Sequence, residues 1–299
     1  VPNKIKKTHL MQSSSEKPLS EEWTEVIVPK GAWFDLKLGE LWRYRDLIML
    51  FVYRDFVSVY KQTLLGPLWH VIQPLLTTLV FTVVFGNIAQ LSTEGLPPVL
   101  FYMAGITIWN YFATCLTKTS NTFVSNAAIF GKVYFPRLAV PVSNVIAALF
   151  SFGVQFLLFM GFYAYFYFFL DFRPVLGWAL FLLPLYVLLM AVLSLGLGII
   201  ISALTTKYRD FTHLVAFGVQ LLMYASPVIY PLSSISEKYR LLLLLNPITP
   251  IIEGFKYSFF GEGLFSWPLL AYSCIATVLI FLLGVLLFNR IEKTFMDTV

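Results

Sequence analysis

The sequence predicts an all-α polytopic membrane protein: six transmembrane helices, an N-terminal interfacial amphipathic helix and a periplasmic re-entrant helix pair. Three observations predict it. Hydrophobic residues make up 58% of the 299 and charged residues 12%, with a mean hydropathy of +0.77, which excludes an ordinary soluble domain. Six apolar stretches have about the length, roughly 20 residues, that crosses a hydrocarbon core. The cations are also lopsided. Of 21 Lys and Arg, seventeen fall on one side of the six-span ladder, which puts both termini in the cytoplasm. The net charge of +5 is then a topology signal and carries no nucleic-acid meaning.

Residues 1–38 form a cytoplasmic segment, rich in Ser, Lys and Glu from Lys4 to Glu25 and expected to be partly disordered. Residues 1–40 hold no apolar core of a cleavable signal peptide. Residues 39–65 read as the interfacial helix. Leu41, Ile48, Met49, Val52, Phe56, Val59 and Tyr60 fall within an arc of about 120°. Glu40, Arg43, Asp46, Arg54, Asp55 and Lys61 crowd the other side. Such a helix lies flat, apolar face to lipid and charged face to water. The triplet Tyr-Arg-Asp occurs twice in it, so Arg54 is expected to face water. Arg45 is expected in the apolar stripe, where it must snorkel or find a partner. Gly66-Pro67 ends this helix and opens the first span, with Pro early, where it is tolerated.

The transmembrane domain covers 66–289. Its spans are Pro67–Leu91, Val99–Thr117, Val140–Leu170, Val175–Leu204, Phe211–Ile235 and Trp267–Phe288. Two of them run to about 31 residues, near 46 Å at a rise of about 1.5 Å, so they tilt or continue beyond the lipid. Span four carries Ser194, Gly198 and Ser202 at four-residue spacing, a small face for close packing within the chain.

Near 126–137 the chain reads NAAIFGKVYFPR, with apolar Ile129 and Phe130 and basic Lys132 and Arg137. It is either a positive topology anchor or a short helix that docks in a partner's groove. Pro136 and Pro141 redirect the chain into span three. A third Tyr-Arg-Asp, Tyr208 to Asp210, occupies the turn between spans four and five. Arg209 and Asp210 form either an exposed loop pair or a contact with Arg54 or Asp55. Near 245–262, after span five, comes a run too short to cross, interrupted by Pro247 and Pro250 and followed by Glu253 and Lys256. A re-entrant pair buried in protein suits it; a surface helix on an external loop is the alternative. Residues 290–299 form a cytoplasmic tail.

Neither catalysis nor a metal is expected. There is no phosphate-cradling Gly-x-x-x-x-Gly-Lys stretch. His9, His70 and His213 are scattered, and Cys115 and Cys274 sit inside spans as apolar fillers. The spans carry no charged residue, which argues against an ion-driven carrier. Energy must come from outside the chain.

Four blocks, in order, carry a resemblance: VIVPKG with ELWRYRDLIMLFVYRDFVSVYKQTLLGPLW, then SNAAIFGKVYFPRLAVPVSNV, then TTKYRDF with MYASPVIYP, then LNPITPIIEGFKYSFFG. Together they resemble permease subunits of type-2 ABC exporters, most nearly the branch that exports lipid-linked O-antigen polysaccharide. The resemblance implies a homodimer in a bacterial inner membrane, joined to two copies of a separate ABC ATPase that carries the ATP and Mg; this chain has no cofactor. Asn126, Ile129, Phe130, Lys132, Phe135 and Arg137 would belong to a coupling helix that docks on that ATPase. The interfacial helix, with Arg43, Arg45, Asp46, Arg54, Asp55 and Lys61, would act as a gate element together with Arg209 and Asp210. Asn246, Pro247, Glu253 and Lys256 would belong to the element that closes the exit. Phe81, Phe85, Tyr102, Trp109, Tyr111 and Tyr224 would line the path, since flat rings suit a sliding glycan. Capsule polymer, teichoic acid or small drugs are alternative cargoes for the same fold. A membrane-embedded glycosyl- or acyltransferase is the alternative from another class; it would need an acid/base pair or acidic metal motif that is not found.

Overall fold

A computed structural model describes residues 38–61, 65–130, 132–133, 135–174, 177–207 and 210–295. Among the described residues every regular element is helical. The predicted segment 1–38 lies outside them except for its last residue, and Tyr208 and Arg209 lie outside them too.

The interfacial segment is two helices, α1 (Leu38–Arg43) and α2 (Arg45–Tyr60), broken at Tyr44 with φ −93° and ψ 20°. Helix α2 lies along α6 (Ala139–Phe169) and buries Ile48 and Phe51, while Met49 and Leu50 are exposed. The buried face therefore differs from the predicted arc. Residues 47–52 are apolar on every side of the helix, so periodicity cannot choose a face and the neighbouring helix does. Arg45, expected to snorkel or to find a partner, has two neighbours. It is exposed, 3.8 Å from Asp46 and 5.9 Å from the centre of the Trp42 ring.

Among the described residues, five helical stretches are long and apolar enough to cross a membrane. The first is Trp69–Ile88, where α3 (Trp69–Phe81) widens into π turns over Thr82–Ile88. Next come α4 (Pro98–Ser120) and the 31-residue α6. The fourth, Trp178–Thr205, begins as a 3-10 turn (Trp178–Leu182) and continues as α7 (Leu183–Lys207). The last, Trp267–Arg290, belongs to α11 (Trp267–Phe295). In place of a full fifth span the chain forms α8 (Phe211–Tyr224), 14 residues long. Pro227 and Pro231 lack the amides to extend it, and residues 226–229 turn inside the protein.

The predicted pair of short helices is present as α9 (Glu237–Leu244) and α10 (Ile248–Phe260). Pro247 and Pro250 do not break α10. They stand at its N-cap and in its first turn, where no amide is needed. Gly261, at φ 70°, ends it in the left-handed region.

Helix α4 is the axis of the fold, packed by α3, α6, α7, α8 and α10. The small face of α7 works within the chain. A Cβ on Gly198 would lie 2.6 Å from Thr119 of α4, and the Ser202 hydroxyl accepts from the Phe123 amide at 3.4 Å. Elsewhere on α7, a Cβ on Gly284 of α11 would come within 2.7 Å of the Gly196 carbonyl, so two backbones touch there.

Candidate functional site

Three places could carry function, and α4 connects them. The first is a junction at one end of the molecule. Helix α5 (Thr122–Phe130) follows α4 and is kinked at Asn126, φ −117° and ψ 15°. Its Asn126 amide group donates to the Thr122 carbonyl at 3.0 Å. Phe130, Phe135 and Arg137, expected as outward anchors, are buried. They seat the segment instead. Phe51 of α2 meets Phe135 at 5.6 Å, Phe135 meets Phe130 at 5.6 Å, Phe130 meets Phe123 at 5.8 Å, and Phe123 stacks on Phe288 of α11 at 4.7 Å. Arg54 lies over Phe51 at 4.9 Å and Arg137 over Phe130 at 5.7 Å. The surface left for a partner is Val124, Ser125, Ala128, Lys132 and Val133, with Ile129 half-buried. Along α1 and α2 and at the residue that follows them, Arg43, Asp46 and Lys61 are exposed, and Arg54 bonds Asp55 at 2.8 Å. The expected contact of Arg209 with Asp55 lies outside the described residues, and Asp210 is exposed.

The second place is a polar crevice under α2, between α3, α4 and α6. Two cavities of about 430 and 550 Å³ share Asp55, Thr117 and Lys118. The crevice runs from Asn126 and Ile129 up to Asn110 and Gln155, whose amides bond across α4 and α6 at 3.0 Å. His70 and Gln73 line it from α3, and Ser151 approaches His70 at 3.5 Å. Trp69, Phe56 and Phe150 form its apolar wall. The sequence reading missed this site by counting charges alone. The legible signal was helical spacing of uncharged polar residues within spans: Asn110, Thr114 and Thr117 on one face, next to Lys118, and Ser151 and Gln155 on another.

The third place is the opposite end, where Glu253 and Lys256 sit on α10, each 3% exposed. Lys256 Nζ donates to the Pro227 carbonyl at 2.6 Å and the Val228 carbonyl at 3.4 Å, and lies 3.8 Å from the centre of the Phe101 ring. Glu253 Oε2 accepts from the Leu264 amide at 3.4 Å, while its Oε1 has no hydrogen-bond partner. Burial pushes the Glu253 carboxyl above the usual carboxylate range, against the pull of Lys256; burial also draws the Lys256 ammonium down, against Glu253. Glu94, from the loop before α4, accepts from the Ser233 hydroxyl at 2.5 Å. Asn246 and Pro247 stand at the joint between α9 and α10.

The six aromatics expected along a path are not brought together. Tyr102, Trp109 and Tyr111 are buried within this protomer, on faces of α4 that its neighbours cover; Tyr111 borders a cavity of about 420 Å³ with Phe152 and Phe156. Tyr102 packs on Phe81 at 6.1 Å, which packs on Phe85 at 5.4 Å, and both of these rings are half-buried. Tyr224 alone of the six is largely exposed, at 50%. Among the described residues no group of His, Cys, Asp or Glu could hold a metal ion.

Comparison with known proteins assigns the chain to a family. The chain is 27% identical over 252 residues to the O-antigen export system permease protein RfbA of Klebsiella pneumoniae, covering 84% of this chain and 94% of that one. It is 28% identical over 265 residues to the protein of the same name from Myxococcus xanthus, covering 85% and 96%. A weaker similarity, 22% over 253 residues with 82% and 93% covered, reaches the polysialic acid transport protein KpsM of Escherichia coli. The sequence pattern of the family described as ABC-2 type transporter matches residues 46–260; with most of its length inside that match, this chain is a member of the ABC-2 type transporter family.

Proposed function

We propose that this chain is the permease subunit of an ATP-driven exporter that moves lipid-linked polysaccharide of the O-antigen type across the bacterial inner membrane. The observation that carries the reading is the 27–28% identity, sustained over more than four fifths of this chain, to permeases named for O-antigen export. The working unit is a homodimer joined to two copies of a separate ABC ATPase, which binds the ATP and Mg. The exposed edge of α5 and the following turn meet the ATPase, and the ring chain from Phe135 to Phe51 and Phe288 passes the push to α2 and α11. Phe81, Phe85 and Tyr224 are the path aromatics we retain.

We also propose six crossings, with both termini cytoplasmic and α9–α10 re-entrant from the periplasm. Contacts support the count. The turn after α7 lies near the end of α4, since Thr205 donates to the Ser120 carbonyl at 3.1 Å. Ser233 touches Glu94, before the start of α4. The chain between Thr205 and Ser233 thus travels the length of α4, and α8 is the helix that makes the trip. Its shortfall is met by buried irregular backbone, which membranes tolerate only when enclosed by protein.

The test is deletion of the gene in a glycan-making host, with complementation by this chain and its ATPase. Polysaccharide returns to the cell surface with an active ATPase and accumulates inside with a catalytically dead one. Surface polymer with the dead ATPase sinks the proposal. The similarity to the polysialic acid transport protein KpsM favours a second cargo, a polysialic acid polymer, and the identity of the lost surface glycan separates the two.

A further inference from the structure

The turn after α8 is irregular backbone that is wholly buried: Ser226, Pro227, Val228 and Ile229 are all enclosed. Backbone carbonyls in such a place need donors, and the α9–α10 pair supplies them at two points. Asn246 donates from Nδ2 to the Ala225 carbonyl at 3.2 Å and to Ser226 Oγ at 3.0 Å, while its Oδ1 accepts from the Ile248 amide, the first of α10, at 3.1 Å. Three turns further along α10, Lys256 grips the Pro227 and Val228 carbonyls.

Helix α4 completes the contact. Phe101 lies beneath the ammonium at 3.8 Å. One turn on, Gly105 leaves the gap into which the turn and the lysine fit. A Cβ there would stand 2.7 Å from the Val228 oxygen and 3.3 Å from Lys256 Cε. A neutral donor could satisfy two carbonyls without burying a charge, and burying a charge is costly unless every contact is made. Here the contacts are made, and charge-assisted bonds are roughly twice as strong as neutral ones. The joint is therefore stiff: it holds whole or it breaks.

We propose that Lys256 is a positioning residue for export, the pin through which the outer end of α8 and the helix α10 move as one body. Displacement of α8 then carries α10 with it, opening and reclosing the exit without the turn sliding along the helix. This rests on the reading of α10 as the exit element.

Two variants attack the pin from different chain segments. Lys256→Met keeps an unbranched apolar stem and removes every donor together with the charge over Phe101. Gly105→Ala leaves the lysine intact and pushes the Val228 carbonyl away. In vesicles containing the permease–ATPase complex, both are expected to lower glycan exported per ATP about tenfold, the size of a modest coupling energy. Both are also expected to leak a small hydrophilic dye without ATP. Unchanged export with tight vesicles in both variants overturns the proposal. If the wild type moves no polysaccharide, the exporter reading fails while the dye still reports on the pin. Should neither variant assemble, amide hydrogen exchange on the wild-type complex decides. On adding ATP, residues 225–228 and α10 are expected to change protection together; a change in one alone, or in neither, overturns it.

Discussion

Asn110 and Gln155 show what one polar pair does between membrane helices. Their bond at 3.0 Å joins α4 to α6, and Gln155 is 8% exposed. Removing one partner leaves the other without its bond at the head of the crevice, whereas replacing both by leucine removes the need as well as the bond. Unfolding in detergent should therefore show Asn110→Leu and Gln155→Leu each destabilising, with a double variant less damaged than their sum. The coupling should be about 0.6 to 2 kcal/mol, the range for interhelical bonds in membranes; strict additivity would mean that the two amides do not depend on each other. Gly254 sets a harder limit. A Cβ there would meet the Tyr186 ring at 2.6 Å, and Tyr186 is fully buried. Gly254→Ala should lose about 1 to 3 kcal/mol, as overpacked cores do, read as a lowered Tm; an unchanged Tm would show that α10 shifts freely against α7.

At the scale of elements, helix positions were legible where apolar length alone decides them. The predicted span Val140–Leu170 and the observed α6 differ by one residue at each end. Faces were less legible. Apolar residues surround α2 between Leu47 and Val52, so nothing in the order of residues marks Phe51 as the side that meets Phe135. The same holds for Phe130, which a surface reading assigns to a partner and the fold packs between Phe123 of the same helix and Phe135. What remained unreadable was the third dimension: which apolar residue faces its own chain. The ring chain makes a prediction at this scale. Phe135→Ala opens a gap between Phe51 and Phe130, and a core phenylalanine lost in this way costs roughly 3 to 5 kcal/mol. ATP hydrolysis by the complex should persist while polysaccharide export falls, and Phe135→Leu should recover most of the export. Equal loss of hydrolysis and export would place Phe135 in assembly and not in coupling.

For the whole molecule the question is parity, because five crossings leave the two termini on opposite sides and six leave them on the same side. Helix α8 spans 14 residues, near 21 Å at about 1.5 Å per residue, against a core of about 30 Å. Length alone would leave it out. Yet Trp178 before α7 stacks on Trp267 at the start of α11 at 5.3 Å, and Ser233 bonds Glu94, so these four positions share one end of the protein. Thr205 and Ser120 share the other. On the six-crossing proposal, the chain that leaves the second end at Asp210 and reaches the first by Ser233 crosses although its helix is short. Single cysteines at the exposed positions Val133, Ser236 and Glu262 turn this into an experiment with a membrane-impermeant maleimide. In intact spheroplasts Ser236→Cys and Glu262→Cys should label and Val133→Cys should label only after permeabilisation. If all three need permeabilisation, α8 does not cross, the tail after α11 lies outside, and the exit element is on the wrong side of the membrane to close anything.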